Sequence, residues 1–156
     1  MSLQISVTLV PQSGSFCYAA KRLELTSTPL ILGAESSDRS QHPPASQTNG
    51  WFKGIISEDP IKPDILPLSL SERHAQIWFS STDSRVYIQD LSSAFGTFLN
   101  GSRITQPTAL KSGDIITLGT TISRSANTPS YITDHHLKPV IAELAFSCSP
   151  SLSMLS

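Results

Sequence analysis

Ser71-Glu72-Arg73-His74 sets a hydroxyl, a carboxylate, a guanidinium and an imidazole within four positions. With Asp90 further along, Ser71 and His74 have the residue types of a nucleophile, base and orienting acid. No glycine-flanked nucleophile turn surrounds Ser71, and such residue sets recur by chance in a Ser-rich chain, so the triad reading is rejected. His74, beside a strand start, reads instead as a structural hydrogen-bonder. Asp134-His135-His136 has the donors of a metal site without a third well-spaced ligand, so no metal is expected. Gly113-Asp114 is a turn whose acid caps backbone. The expectation is a protein with no catalytic set and no cofactor.

Recognition chemistry is better represented. Anion binding needs a guanidinium fork, hydroxyl donors and backbone N–H groups converging on one point. Ser71, Arg73 and Thr97 supply two hydroxyls and a cation, and Arg39, Lys53 and Arg103 are further basic residues on turns and loops. Trp51 and Phe95 are aromatics in polar surroundings, suited either to packing beneath a loop or to an exposed partner contact.

These residues are punctuated by short strands. Gln4 to Val10 alternates strictly, with Ile5, Val7 and Leu9 on one face. Lys21 to Thr26, with Leu23 and Leu25 inward, and Pro29 to Gly33 follow as strands. Ala75 to Phe79, Arg85 to Asp90, Thr97 to Leu99, Ser102 to Ile104, Ile115 to Leu118 and Pro139 to Phe146 repeat the pattern, with Ala109-Leu110 a shorter apolar step. Asn100-Gly101 is the strongest hairpin signal in the chain. Residues 35–67 lack periodicity and carry several prolines; they read as a long loop insertion, with Trp51-Phe52 packing back onto the sheets. Residues 1–146 therefore form one domain, and Ser-rich residues 147–156 are expected to be a disordered tail. No helix of ten or more residues is expected.

Composition narrows the partners. Eleven basic residues face twelve acidic ones, which gives no electrostatic footprint for nucleic acid or an anionic membrane. No window approaches the roughly 20 apolar residues of a membrane helix. Cys17 and Cys148 sit at opposite ends of the chain and read as reduced thiols, which points to a cytoplasmic protein. A monomer with a protein or peptide partner is the expectation.

In combination, Leu32-Gly33, Ser71-x-x-His74, Gly96-Thr97-Phe98-Leu99-Asn100-Gly101 and Gly113-Asp114 before an apolar strand resemble the forkhead-associated (FHA) domain. Ser71-x-x-His74-Ala75-x-Ile77-Trp78-Phe79, Tyr87-Ile88-Gln89-Asp90 and Ser112-Gly113-Asp114-Ile115-Ile116 are similar to the sarcolemmal and fungal vacuolar-sorting group of FHA adaptors, which act in striatin-interacting phosphatase and kinase complexes. The resemblance implies an all-β sandwich of about eleven strands in two sheets. It also implies a phosphothreonine-peptide site built from an Arg after the strand glycine, the Ser of Ser-x-x-His, the residue after that Ser, and a Ser/Thr–Asn pair before Gly-Thr. Gly33, His74, Gly96 and Asn100 occupy the architectural positions. At the ligand positions Ser71 is retained, whereas Ala34, Glu72, Ala94 and Phe95 stand in place of the binding side chains. The carboxylate of Glu72 would repel a phosphate of about −2 charge. Losing the Arg and Asn contacts alone would cost roughly 3–6 kcal/mol, about a hundredfold or more in affinity. Two expectations follow: an adaptor with weakened or lost phosphothreonine recognition, or a site rescued through Ser71, Thr97 and a displaced basic residue among Arg73, Arg39, Lys53 and Arg103.

Overall fold

In the computed structural model, residues 3–34, 45–52, 67–130 and 132–150 are described. Eleven strands are found among them: β1 (Leu3–Pro11), β2 (Lys21–Leu25), β3 (Leu30–Ala34), β4 (Trp51–Phe52), β5 (Ala75–Ser80), β6 (Arg85–Asp90), β7 (Thr97–Leu99), β8 (Ser102–Arg103), β9 (Thr108–Leu110), β10 (Ile115–Leu118) and β11 (Val140–Pro150). They form a six-stranded sheet in the order β2-β1-β11-β10-β7-β8 and a five-stranded sheet in the order β4-β3-β5-β6-β9. The all-β sandwich expected from the motifs is what forms. The one short helical segment among the described residues is a 3-10 turn at Asp134–Leu137. No helix among them is long and apolar enough to cross a membrane.

Alternation decides which side chains fill the space between the sheets. Val7 and Leu9 of β1, Ile77 of β5, Ile88 of β6, Ile116 and Leu118 of β10 and Leu144 of β11 are fully or almost fully buried. Each such side chain contributes roughly 1.5–3 kcal/mol through its removal from water. The Asn100-Gly101 hairpin takes positive φ at both residues, +49° and +88°, as a turn matched to strand twist requires. Asn100 also fastens the next loop: its Oδ1 accepts from the Ile115 N–H at 2.9 Å, and its amide donates to Asp114 at 3.1 Å. Asp114 in turn accepts the Lys111 N–H at 2.9 Å, the backbone-capping role read from the sequence.

Two boundaries differ from the sequence reading. Residues 147–150 continue β11, pairing with the first half of β1 from Ser147↔Ser6 to Pro150↔Leu3, so the sandwich reaches beyond residue 146. A polar run sits in a strand here because it pairs along its whole length with β1. Within the stretch read as an insertion, Trp51-Phe52 forms β4, which pairs in parallel with β3. Phe52 is fully buried and meets Tyr18 edge-to-face at 5.1 Å. Lys21, on the inward face with Leu23 and Leu25, donates to the carbonyls of Ser46 and Trp51 at 2.7 Å each, and lies 4.8 Å from the Phe52 ring centroid. A buried ammonium is tolerable only when so partnered. The remainder of the insertion, including Arg39 and Lys53, lies outside the described residues, as do residues 151–156.

Candidate functional site

Two loops meet at one end of the sandwich: residues 67–74, leading into β5, and residues 91–96, joining β6 to β7. Backbone bonds draw them against the end of β3. The Ala34 N–H donates to the Ser71 carbonyl, the His74 N–H to that of Leu32, and the Leu91 N–H to that of His74, all at 2.9–3.0 Å. The approach of the first loop is so close that a β-carbon on Gly33 would overlap the Glu72 carbonyl. Only glycine satisfies that position.

His74 is the pin between the loops. It is fully buried, its Nδ1 accepts from the Ser71 N–H at 3.1 Å, and its Nε2 lies 2.8 Å from the Gly96 carbonyl. Accepting at one nitrogen and donating at the other assigns the neutral Nε2–H tautomer. Burial holds its pKa below the ordinary imidazole value, against the opposing pull of the Gly96 carbonyl and the Asp90 charge. Both ring nitrogens are therefore occupied, and His74 meets Ser71 through its backbone N–H and not through its hydroxyl.

Asp90 organises the second loop. Its carboxylate accepts the Ser93 N–H at 3.1 Å, the Ser93 hydroxyl, and the Thr97 hydroxyl at 2.7 Å. Burial pushes its pKa up, but the Ser93 and Thr97 donors, with His74 nearby, outweigh this and hold it below the ordinary carboxylate value. Ser93 Oγ in turn accepts the Gly96 N–H at 2.9 Å. Gly96 takes φ +94°, and the Arg103 guanidinium crosses over it, with Nε 2.9 Å from where a β-carbon would stand.

Thr97, expected among the ligand-facing residues, is fully buried, and its hydroxyl donates to Asp90. Alternation along β7 turns Thr97 inward and leaves Phe98 less buried. Asp90 and Ser93 were not singled out as the loop's organisers, although Asp followed by Ser three residues later is a recognisable side-chain-to-backbone turn signal.

What faces outward is a short list. Ser71 is half-buried, and its Oγ accepts the Ala94 N–H at 3.1 Å, which leaves its own O–H free to donate to a ligand. Glu72, Arg73, Ala94 and Phe95 are exposed, Phe95 to 39%. Arg73 forms no ion pair among the described residues. Ala34 is buried, and so offers no group to the surface. Trp51 lies in the β4 edge strand, half-buried, beside Gly33. The arrangement presents one hydroxyl, one carboxylate, two guanidinium groups (Arg73 of the first loop and Arg103 of β8) and one phenyl ring. Among the described residues, no nucleophile, acid and base converge there. Asp134 and His136 belong to the 3-10 turn, where His136 Nδ1 accepts the Thr133 N–H at 2.9 Å and Asp134 meets Arg124 at 3.2 Å. No group of three metal-ligating side chains occurs among the described residues.

Comparison with known proteins agrees with the frame. Residues 63–119 match the FHA domain model. The chain is 46% identical over 81 residues to vacuolar protein sorting-associated protein 64 of Saccharomyces cerevisiae, covering 49% of this chain and 13% of that protein. It is 37% identical over 62 residues to mouse sarcolemmal membrane-associated protein, covering 36% of this chain and 7% of that one. The chain spans less than half the length of the curated relatives it matches. Among solved structures, the kinase-interacting FHA domain of the Arabidopsis kinase associated protein phosphatase superimposes with a TM-score of 0.54 at 22% identity, over 95% of this chain and 98% of that domain. At that identity the likeness is one of fold.

Proposed function

The chain carries an FHA domain, a protein-interaction module, and from that premise we propose that it docks a protein partner through the loop face at Ser71–Arg73 and Ala94–Phe95, with phosphothreonine recognition weakened or lost. The observation that carries this reading is the split at the loop face. The inner residues His74, Asp90 and Thr97 are fully engaged, while Glu72, Ala94 and Phe95 offer an outer surface of one carboxylate, one methyl and one ring. A phosphate approaching Ser71 meets a like charge from Glu72 and finds no amide donor at residue 95. An exposed aromatic on a rigid loop is instead a low-entropy anchor for an apolar side chain of a partner. The protein acts in this reading as a non-enzymatic adaptor, a single copy working in the cytoplasm.

A second reading is favoured by one observation. Arg103 crosses Gly96, and Arg73 follows Ser71 by two residues, so two exposed guanidinium groups belong to the loop face that carries the retained Ser71 hydroxyl. Guanidinium forks are suited to phosphate from any backbone origin. In that case a phosphothreonine peptide would be gripped by Ser71 and a displaced arginine.

Calorimetric titration of matched peptides, identical but for phosphorylation of one threonine, separates the two. The proposal expects equal, weak heats for both forms. Micromolar binding that requires the phosphate and disappears in Ser71→Ala would transfer the function to the second reading. A hydrolysis assay on the same peptides is expected to show no turnover, and sustained product release would sink the adaptor assignment.

A further inference from the structure

The opposite end of the sandwich carries two features that the loop face does not explain. The first is an open edge. In the order β4-β3-β5-β6-β9, β9 has a neighbour on one side only among the described residues, and no strand of those residues takes up the backbone N–H and C=O groups of its other side. The second is a pair of cations. Val86 lies opposite Leu110 in the antiparallel β6–β9 register, which sets Arg85 opposite Lys111, one residue beyond the strand. Both are exposed, and neither forms an ion pair among the described residues. Two carboxylates are close in the chain. Asp114 accepts from the Lys111 N–H and Asn100 and shares the lining of a hollow along β9, and Asp83 accepts from the Tyr87 hydroxyl. Neither makes an ion pair with Arg85 or Lys111. Like charges directly opposite one another disfavour a sheet, and an anion set between them reverses the sign.

Between the two sheets at this edge lies a cleft of about 250 Å³, whose walls include Phe79, Val86, Leu110 and Phe146, with Arg85 and Lys111 also lining it. A second hollow of about 520 Å³ continues along β9 past Ala109 and Leu99, and shares Arg85 and Lys111. Alternation makes the two chemistries compatible with one extended chain. Leu110 points inward to the cleft, while Ala109 and Lys111 belong to the outer face with Arg85.

We propose that this edge is a second docking site, for an extended segment of a partner protein in which acidic residues alternate with bulky apolar ones. The segment adds a strand to β9. Its apolar side chains enter the cleft over Phe79, Val86, Leu110 and Phe146, and its carboxylates lie on the outer face beside Lys111, on the same face as Arg85. Main-chain bonds to an open edge give such a segment affinity, and the alternating side chains give it selectivity. The site stands at the far pole from Ser71 and Phe95: β6 runs from Arg85 at one end to Asp90 at the other, so both surfaces can be occupied together.

The test uses isotope-labelled protein and a short, terminally blocked peptide alternating aspartate with leucine, with a lysine-for-aspartate peptide as its control. Amide shifts are expected at β9, Arg85 and Lys111 with the aspartate peptide alone. The double variant Arg85→Glu/Lys111→Glu, both positions being exposed, is expected to keep a folded spectrum and bind roughly tenfold more weakly. Several outcomes overturn the proposal: no shift at millimolar peptide, shifts centred on Ser71 and Phe95, equal binding of both peptides, or unchanged affinity in the double variant. Binding of phosphatidylserine vesicles in place of the peptide would overturn it too, since the site would then serve a lipid surface.

Discussion

Beneath the loops at 67–74 and 91–96, the side chains of His74, Asp90 and Thr97 are all hydrogen-bonded within the protein; on top of the same loops, Glu72, Arg73, Ala94 and Phe95 are exposed. The two layers are built from neighbouring residues, yet they answer to different constraints. The inner layer is fixed by burial, because an unpaired polar group there costs roughly 1–3 kcal/mol. The outer layer carries no such penalty, so its residue types are free to follow whatever it binds. A recognition frame can therefore persist while its grip is replaced.

That contrast predicts a steep gradient in mutational effect. The largest loss is expected at Gly33→Val, where branching atoms would be forced into the Glu72 carbonyl; about 3 kcal/mol of stability should disappear in urea denaturation. His74→Ala is expected to cost about 2–3 kcal/mol, by leaving the Ser71 N–H without a partner, taking one of two donors from the Gly96 carbonyl and opening a cavity. The same residue sets a pH dependence. Its folded pKa lies below the ordinary 6.5, so the unfolded chain takes up the proton first as pH falls. The contribution is complete above about pH 6.5 and is lost as pH drops toward the folded value, where the loss levels off. Melting curves of the native protein should show that decline between neutral and mildly acidic pH, and those of His74→Ala should lack it.

Smaller effects should follow outward. Thr97→Val removes one donor from Asp90 and is expected to cost about 1–2 kcal/mol while leaving partner binding unchanged, because the residue has no exposed surface. Should that variant keep its stability and lose binding, the inner and outer layers would not be separable. Phe95→Ala, at the other extreme, is expected to shift stability by less than about 0.5 kcal/mol and to abolish capture of a partner that anchors on the ring.

Most of the fold was legible because the strands alternate cleanly and the turns carry their own chemistry, as at Asn100-Gly101 and Gly113-Asp114. What escaped the sequence did so for identifiable reasons. Thr97 sits in a motif that suggests a ligand contact, but its place in β7, opposite Leu118 of β10, turns it into the core. Lys21 shares the inward parity of Leu23 and Leu25, and only the carbonyls of Ser46 and Trp51, distant in sequence, make that burial tolerable. The polar run at 147–150 looks like a tail until β1 is seen to pair with it. β4 is two residues long, too short for any periodicity to register. The candidate site divides the same way: its pins were readable as motifs and the Asp90–Ser93 turn had a spacing signal, whereas the Asp90–Thr97 bond and the Arg103 crossing depend on distances that no spacing encodes.

The central claim is that the frame is intact and only the grip has changed. The most direct measurement is a titration of a phosphothreonine peptide and its unphosphorylated twin into the double variant Ala34→Arg/Phe95→Asn, read by amide shifts. The account predicts that phosphate-dependent binding appears where the native chain shows none, with shifts at Ser71 and Gly96. No gain in the folded double variant, or phosphate-dependent micromolar binding already present in the native chain, would contradict it.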